Sequence, residues 1–402
     1  MPVAKNVALQ TRCFSSRSGE APQPTLSRVN DKRPAYRPPV IRLYIASMVG
    51  GGSERVCTTL CNGFVSKGLG VELLLVNGLG PYLSRLDSQV RIVDFKVSRG
   101  LKALMGVSRH LRCSPSIPTL VFGFNLAAAV VLARRIGLHN SSIIYREASW
   151  PKAYIRPWQR FGYRWAIGQV DWIVAQSRAA SDELAKLGLP KKNIVVIPNP
   201  FVATGDRTER VARFSKDAPL IIGVGRLCAE KRFDRLIRAF FEFRKQCPKA
   251  RLAILGEGGE RPCLEQLIKS LHLAGSVMLP GFVENLSPWY DQASLFAMSS
   301  SYEGQPNALI EAIMHNCPVI TIVNSGGTIE LMRDIGLEDC LVSDESFDLR
   351  FADQARRAIT MDDSRWQRAR EKVARLTDIE TVMLKYLDLC EIKTGQTVHA
   401  RS

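Results

Sequence analysis

From Val40 onward the chain alternates short, almost continuously apolar runs with amphipathic helical stretches, and after a polar break it does so a second time. A strand buried on both faces cannot alternate with polar residues, so this pattern means parallel sheets covered by helices on both sides. The first series predicts strands over 41–46, 71–76, 120–124, 143–146, 172–175 and 194–197. A helix over 53–67 places Val56, Leu60, Phe64 and Val65 on its apolar positions. The second series predicts strands over 220–224, 251–255, 277–279, 295–297 and 318–322. Its helices fall over 233–246, 262–271 and about 307–316. The charged stretch 203–217 between the series reads as a linker. Two doubly wound α/β domains follow, 39–202 and 203–375, and ligands of such sheets lie beyond the carboxyl ends of the strands. Two facing domains therefore define a cleft. A further helical stretch is predicted over 365–389, with Trp366, Ala369, Val373 and Leu376 on one face and Val382, Leu387 and Leu389 extending a second.

The 402 residues suit two or three units at roughly 150 residues each. No apolar run approaches the length of about 18 needed to span a bilayer; the longest, 120–133, carries Asn125. The net charge of +17 calls for an anionic partner: nucleic acid, an anionic membrane or a phosphorylated substrate. Ten cysteines without a C-x-x-C pair, mostly inside apolar segments, read as reduced and packed in a cytosol. Residues 1–38 are rich in Ser, Pro, Arg and Lys and are expected to form a disordered basic extension, a composition that an organelle transit segment shares.

Several loops can carry chemistry. The first strand ends in Gly50-Gly51-Gly52, followed by Ser53-Glu54-Arg55 opening a helix. Glycines let a ligand approach the backbone, and the helix start offers N–H groups and a positive dipole end. This is not the G-x-G-x-x-G pattern of nicotinamide binding. In the second half, Arg226 follows a strand and Lys231 comes five residues later. Both can neutralise a diphosphate from the cleft. A second glycine loop, Gly256-Glu257-Gly258-Gly259, and Gly281-Phe282-Val283 follow the next strands. In the run from Ser299 to Ala312, Glu303 follows a strand, Gly304 permits a bend, Pro306 suits a first helical turn and Glu311 lies about a turn in. Two ionised carboxylates so spaced can accept hydrogen bonds from hydroxyls at opposite ends of one ligand.

On these pieces, in this order, the chain resembles the retaining glycosyltransferases of family 4, also called glycosyltransferases group 1. The matching pieces are 50–55, 197–200, 224–227 with Glu230 and Lys231, 255–258, 281–283, Glu303 to Glu311, and Gly326-Gly327 with Glu330. The resemblance covers about residues 41 to 390. It implies the GT-B fold: two Rossmann-like domains facing across a cleft, with a C-terminal helix of about 376–392 crossing back to the first. It implies donor binding by Gly51, Gly52, Arg226, Lys231, Val283, Glu303, Gly304 and Glu311. Arg226 and Lys231 would hold the diphosphate, Glu303 the sugar hydroxyls, Glu311 the ribose hydroxyls, and Val283 would lie by the base. Glu303, Arg226 and Lys231 are the residues expected to carry catalysis. Many members carry a histidine after a first-domain strand; here the stretch is Tyr145-Arg146-Glu147-Ala148-Ser149-Trp150-Pro151. Arg146 and Glu147 would then face the acceptor, although a structural salt bridge accounts for them equally well.

The expected activity is transfer of a hexosyl or N-acetylhexosaminyl unit from a nucleotide-diphosphate sugar to a glycan or lipid-linked acceptor, in polysaccharide or glycoconjugate biosynthesis. The chain has no D-x-D triplet, so no metal and no cofactor are expected, and a UDP-sugar is favoured over a GDP-sugar. Within 153–170, Trp158, Phe161 and Trp165 form an aromatic stripe and Arg156, Arg160 and Arg164 a basic one, a candidate interfacial helix for an anionic membrane surface. Arg99, Lys102, Arg109 and Arg112 add charge on another first-domain helix. The expected location is cytoplasmic, with peripheral attachment to the inner face of the plasma membrane as a further option. Rival readings are a nucleotide-sugar epimerase or phosphorylase on the same fold, and a non-catalytic basic protein binding membrane or nucleic acid. Nucleic acid rests on charge alone and is disfavoured.

Overall fold

The computed structural model describes residues 37–49, 51–97, 101–114, 116–147, 159–202, 218–323, 326–343 and 347–392. Gly50, Arg99, residues 148–158, the expected linker 203–217 and residues 1–36 of the expected extension lie outside the described residues.

The first lobe is built from β1 (Ile41–Ile45), α1 (Gly52–Ser66), β2 (Val71–Leu75), β3 (Arg91–Asp94), α2 (Leu101–Cys113), β4 (Thr119–Phe122), α3 (Phe124–Arg135), β5 (Ile143–Arg146), α4 (Arg160–Ile167), β6 (Trp172–Ala175), α5 (Arg178–Lys186) and β7 (Ile194–Val196). Its strands form a parallel seven-stranded sheet ordered β3-β2-β1-β4-β5-β6-β7. The second lobe has β8 (Leu220–Val224), α6 (Phe233–Gln246), β9 (Arg251–Leu255), α7 (Arg261–Ser270), β10 (Val277–Gly281), α8 (Ser287–Gln292), β11 (Leu295–Met298), α9 (Asn307–Met314), β12 (Val319–Ile322), α10 (Gly326–Ile335), β13 (Leu341–Val342) and α11 (Phe347–Thr360). Its sheet has six strands ordered β10-β9-β8-β11-β12-β13. The apolar runs are apolar because both faces are covered: every residue of β1, β2, β4, β5, β11 and β12 is buried. Burying one such large side chain contributes about 1.5–3 kcal/mol.

Both strand orders reverse at the first strand of their lobe, between β1 and β4 and between β8 and β11. Chain leaving neighbouring strands there goes to opposite faces, which opens the crevice that binds ligands in such sheets. The loops at these points are the glycine loop after β1, the Gly225–Lys231 segment after β8, and the Ser299–Glu303 segment after β11.

The C-terminal stretch departs from a single predicted helix. It forms α12 (Asp363–Leu376) and α13 (Ile379–Leu389). Asp378 breaks them by capping α13, its carboxylate accepting from the Thr381 N–H at 2.8 Å. The Phe201 N–H donates to the Thr377 carbonyl at 2.9 Å, which ties the end of the first lobe to this break. Trp366, Ala369 and Val373 of α12 belong to the second lobe's core. Val382, Met383, Tyr386 and Leu387 of α13 share the first lobe's core with Val56, Leu60 and Phe64 of α1. The last helix thus crosses back to the first lobe. No described helix is long and apolar enough to cross a membrane.

Candidate active site

Two glycine loops set the floor of the second lobe's side. Gly256 has φ +147°, and a Cβ there would sit 1.9 Å from the Gly225 carbonyl oxygen. Only glycine permits this contact. It brings the two loops together, and they are joined further by Leu227 N–H to the Glu257 carbonyl at 2.9 Å. The segment after β8 is also stitched to the one after β11: Ser301 N–H donates to the Glu230 carbonyl at 2.8 Å and Ser299 Oγ to the Lys231 carbonyl at 2.9 Å. The outcome is a side-chain contact. Lys231 Nζ lies 2.5 Å from Glu303 Oε1, with both side chains largely buried.

Arg226 is exposed and pairs with Glu230 at 3.0 Å, and the Tyr302 hydroxyl donates to the other Glu230 oxygen at 3.3 Å. Its charge acts on Glu54 in the first turn of α1, so Arg226 stands where the two lobes face each other. Burial pushes the Glu54 carboxyl up, and backbone N–H groups together with Arg226 offset part of that rise. Burial likewise pushes up the Cys228 thiol and the Tyr302 phenol, with the Glu230 charge adding to both.

The start of α9 lies opposite the glycine loop of α1. Asn307 Nδ2 donates to the Gly52 carbonyl at 3.4 Å, and Asn199 Nδ2 donates to Asn307 Oδ1 at 2.6 Å. Asn199 N–H donates to Gln305 Oε1 at 2.5 Å, and Ser177 Oγ donates to the Gly304 carbonyl at 3.2 Å. Gly327 permits α10 to approach closely: a Cβ there would meet the Gly304 carbonyl oxygen at 1.9 Å. Glu311, one turn into α9, is buried; it forms an ion pair with Arg55 of α1 and accepts from the Tyr290 hydroxyl at 3.2 Å. Burial drives the Tyr290 phenol far above its ordinary value, so it stays a donor. Among the described residues, further ion pairs join the lobes: Arg85 with Glu284 at 3.4 Å, and Arg178 with Glu330 at 3.1 Å and Asp334 at 3.2 Å.

Gly52, Arg226, Gly304 and Glu311 therefore meet groups of the opposite lobe, with Gly51 beside the first and Lys231 and Glu303 in the loops that carry Arg226 and Gly304. Val283 is half-buried against the second lobe's core beside exposed Phe282. Arg146 and Glu147 are placed differently: they are 1% and 3% exposed. The Arg146 guanidinium donates to Asn199 Oδ1 and lies 5.5 Å over the Phe122 ring. Glu147 accepts from the hydroxyls of Tyr145 at 2.8 Å and Tyr163 at 2.7 Å. Both are enclosed by the first lobe in this conformation and present no side chain to the cleft. Among the described residues no group of three or more His, Cys, Asp or Glu is gathered as a metal site would require.

Several residues of this constellation have no role assigned from sequence, among them Arg55, Ser177, Asn199, Tyr290, Gln305 and Asn307. Arg55 and Asn199 lie inside matched motifs, but their cross-lobe partners are more than a hundred residues away. The largely buried Lys231–Glu303 contact sets a cation and a carboxylate acceptor side by side in the loops after β8 and β11. Such a site suits a ligand with an anionic centre flanked by hydroxyls.

Comparison with known proteins identifies the family and the fold. Residues 50–202 match the family model described as Glycosyltransferase Family 4, and residues 206–372 that of Glycosyl transferases group 1. The amylovoran biosynthesis glycosyltransferase AmsD of Erwinia amylovora is 27% identical over 303 residues, 74% of this chain and 84% of that protein. The N-acetylgalactosamine-N,N'-diacetylbacillosaminyl-diphospho-undecaprenol 4-alpha-N-acetylgalactosaminyltransferase of Campylobacter jejuni is 24% identical, over 73% of this chain and 83% of that protein. Among solved structures, Alr3699/HepE of Anabaena in complex with UDP and glucose superimposes with a TM-score of 0.69 at 16% identity, covering 87% of this chain and 98% of that one. The fold is GT-B. The chain belongs to the group 1, family 4 glycosyltransferases, and it is a transferase of glycan biosynthesis.

Proposed function

We propose that the chain transfers a hexosyl or N-acetylhexosaminyl unit from a UDP-sugar to a glycan or lipid-linked acceptor, with retention at the anomeric carbon and without a metal. The observation that carries this reading is the 2.5 Å Lys231–Glu303 contact between the loops after β8 and β11. When the donor binds, Lys231 turns its charge to the diphosphate and Glu303 accepts from hydroxyls of the transferred sugar. Arg226 and the N-terminus of α9 supply further positive charge. Glu311 accepts from the ribose, exchanging Arg55 for hydroxyl donors.

In the reaction the bond from the anomeric carbon to the leaving phosphate oxygen breaks and negative charge collects on the diphosphate. Fixed positive groups aimed at that oxygen lower the barrier without reorganising. The acceptor hydroxyl attacks from the same face, forms the new carbon–oxygen bond and passes its proton to the departing phosphate. This accounts for a site that needs no separate side-chain base. Support for the uridine base is the fold neighbour solved with UDP and glucose. Support for a lipid-linked acceptor is the Campylobacter relative, whose name specifies a diphospho-undecaprenol substrate. The test is nucleotide release from UDP-sugars by Lys231→Ala and Glu303→Ala: undiminished release in either contradicts the reading. Thermal stabilisation by UDP and GDP in parallel decides the base, since a bound product stabilises in proportion to its affinity; stronger stabilisation by GDP rejects uridine.

A further inference from the structure

Arg146 is the last residue of β5, one strand from the point where the first sheet reverses its order. It is buried, yet among the described residues no Asp or Glu pairs with it. Glu147 follows on the other face of the strand and is held by tyrosine hydroxyls. Residues 148–158 contain no acid either. The groups near the guanidinium are neutral: burial pushes up the Cys57 thiol of α1 and the Tyr386 phenol of α13, and the Arg146 charge offsets only part of each rise. Arg146 Nε has no hydrogen-bond partner among the described residues. A buried cation without a counter-charge is costly to fold. An apolar side chain of the same length would fill the space without that penalty, so the charge answers to something other than packing.

What the guanidinium holds is Asn199 Oδ1. That fixes the amide with its NH2 outward, and Asn199 Nδ2 donates to Asn307 Oδ1 at 2.6 Å and to the Gln305 carbonyl at 3.4 Å. Asn307 Nδ2 in turn donates to the Gly52 carbonyl at 3.4 Å. Every donor in this chain points away from Arg146, so the cation polarises both amides in the same sense. A Cβ on Gly52 would lie 2.8 Å from Asn307 Nδ2, so the chain ends at a residue without a side chain to obstruct it. The chain therefore starts inside the first lobe, crosses to the first turn of α9 and returns to the start of α1.

We propose that Arg146 is a positioning residue of the transferase: acting through Asn199 and Asn307, it sets the distance between the start of α9 and the start of α1, and so the width of the gap into which the leaving phosphate moves. The phosphate's place in that gap rests on the donor site proposed above; the strut itself does not. A salt bridge internal to the first lobe would come with an acid and would not need Asn199. The proposed donor contacts Lys231, Glu303 and Glu311 all belong to the second lobe, so loss of the strut falls on turnover rather than on nucleotide affinity.

The test is Arg146→Met, which keeps the length and removes the charge, measured beside Asn199→Asp and Asn307→Ala in the full chain. Removing an uncompensated buried cation leaves the melting temperature unchanged or higher. Hydrogen exchange without nucleotide rises severalfold in peptides spanning 51–56 and 303–310 and nowhere else in the second lobe. Nucleotide release from the UDP-sugar that the parent uses slows in kcat by roughly tenfold to a hundredfold, the effect of misplacing groups by about 1 Å, with UDP affinity and donor KM within about threefold. Asn199→Asp gives the guanidinium a carboxylate but turns the Asn307 amide away from Gly52, so it is stable and equally slow. Arg146→Met with Asn307→Ala is no slower than Arg146→Met alone, although Asn199 stands between the two. A lower melting temperature with full kcat in Arg146→Met marks a purely structural residue and overturns the proposal. So does a defect confined to donor KM, a fully active Asn199→Asp, or additive losses in the double variant. Failure of the donor site reads differently: Lys231→Ala then releases nucleotide undiminished, while the exchange result still decides the strut.

Discussion

Removing the Lys231 ammonium tests the site most sharply. In the free enzyme Lys231 contacts Glu303 at 2.5 Å and the two side chains are 22% and 15% exposed. Lys231→Ala leaves a mostly buried carboxylate without its cation, a loss of about 1.5–3 kcal/mol for a charge-assisted hydrogen bond. In the proposed reaction the same ammonium faces charge that builds on the diphosphate. Losing one preorganised donor to such an oxyanion costs about 10²–10³ in kcat, or about 2.7–4 kcal/mol. The expected outcome is a loss of that size in kcat at saturating donor, followed as UDP release. Lys231→Arg keeps the charge but changes its shape, and recovers activity to within roughly tenfold of the parent. Lys231 and Glu303 act as a unit, so Lys231→Ala with Glu303→Gln loses less than the sum of the single changes. A Lys231→Ala enzyme with near-parental kcat, or one whose entire defect disappears at high donor concentration, refutes the argument that this charge serves the transition state.

Three other outcomes follow from the geometry. Arg55 occupies Glu311 in this structure, so under the proposed donor site Arg55→Ala removes a competitor of the ribose; calorimetry should give UDP binding severalfold tighter, and weaker binding contradicts the exchange. Gly256→Ala combines a positive φ with a clash into the Gly225 carbonyl; about 3 kcal/mol of strain predicts a melting temperature lower by roughly 5–10 °C, and an unchanged melt contradicts the loop packing. His139 is buried, and burial with the Arg42 and Arg134 charges lowers it from 6.5 to about 4. The unfolded chain then takes up a proton that the folded chain refuses, so stability falls as pH drops from 6.5 towards 4, by up to about 1.4 kcal/mol per unit. Burial alone would raise Glu72, but the His110 hydrogen bond and Arg42 outweigh it and hold it at about 2 against an ordinary 4.5. Its contribution is lost as pH falls from 4.5 towards 2, so His139→Leu flattens only the first decline in a melting series; an unaltered first decline rejects the assignment.

The fold was legible because central strands are buried on both faces and so write themselves as apolar runs. Ile143–Arg146, Trp172–Ala175, Leu220–Val224 and Arg251–Leu255 coincide with their predicted ranges. The edge strand β3 was not legible: Arg91 and Ile92 are exposed, so no apolar run marks it. Nor was β13, which is two residues long. The break between α12 and α13 was hidden because apolar periodicity continues on both sides of it; Asp378 caps the second helix there, and the Phe201 contact that ties the break to the first lobe is far away in sequence. The site divides the same way. Motifs local in sequence located Arg226, Lys231, Glu303 and Glu311. Partners supplied by the opposite lobe, Arg55 for Glu311 and Asn199 for Gln305, exist only once the lobes face each other. Arg146 and Glu147 show the converse: a polar pair after a strand looks available, and burial beside Asn199, Tyr145 and Tyr163 cannot be read from their neighbours in the chain.

The most direct test of the donor site is a structure of the enzyme with UDP bound. The account predicts the diphosphate within hydrogen-bonding reach of Lys231 Nζ and the first turn of α9, and the ribose hydroxyls on Glu311 in place of Arg55. A nucleotide lodged elsewhere, or one that leaves both the Lys231–Glu303 and Arg55–Glu311 pairs intact, contradicts it.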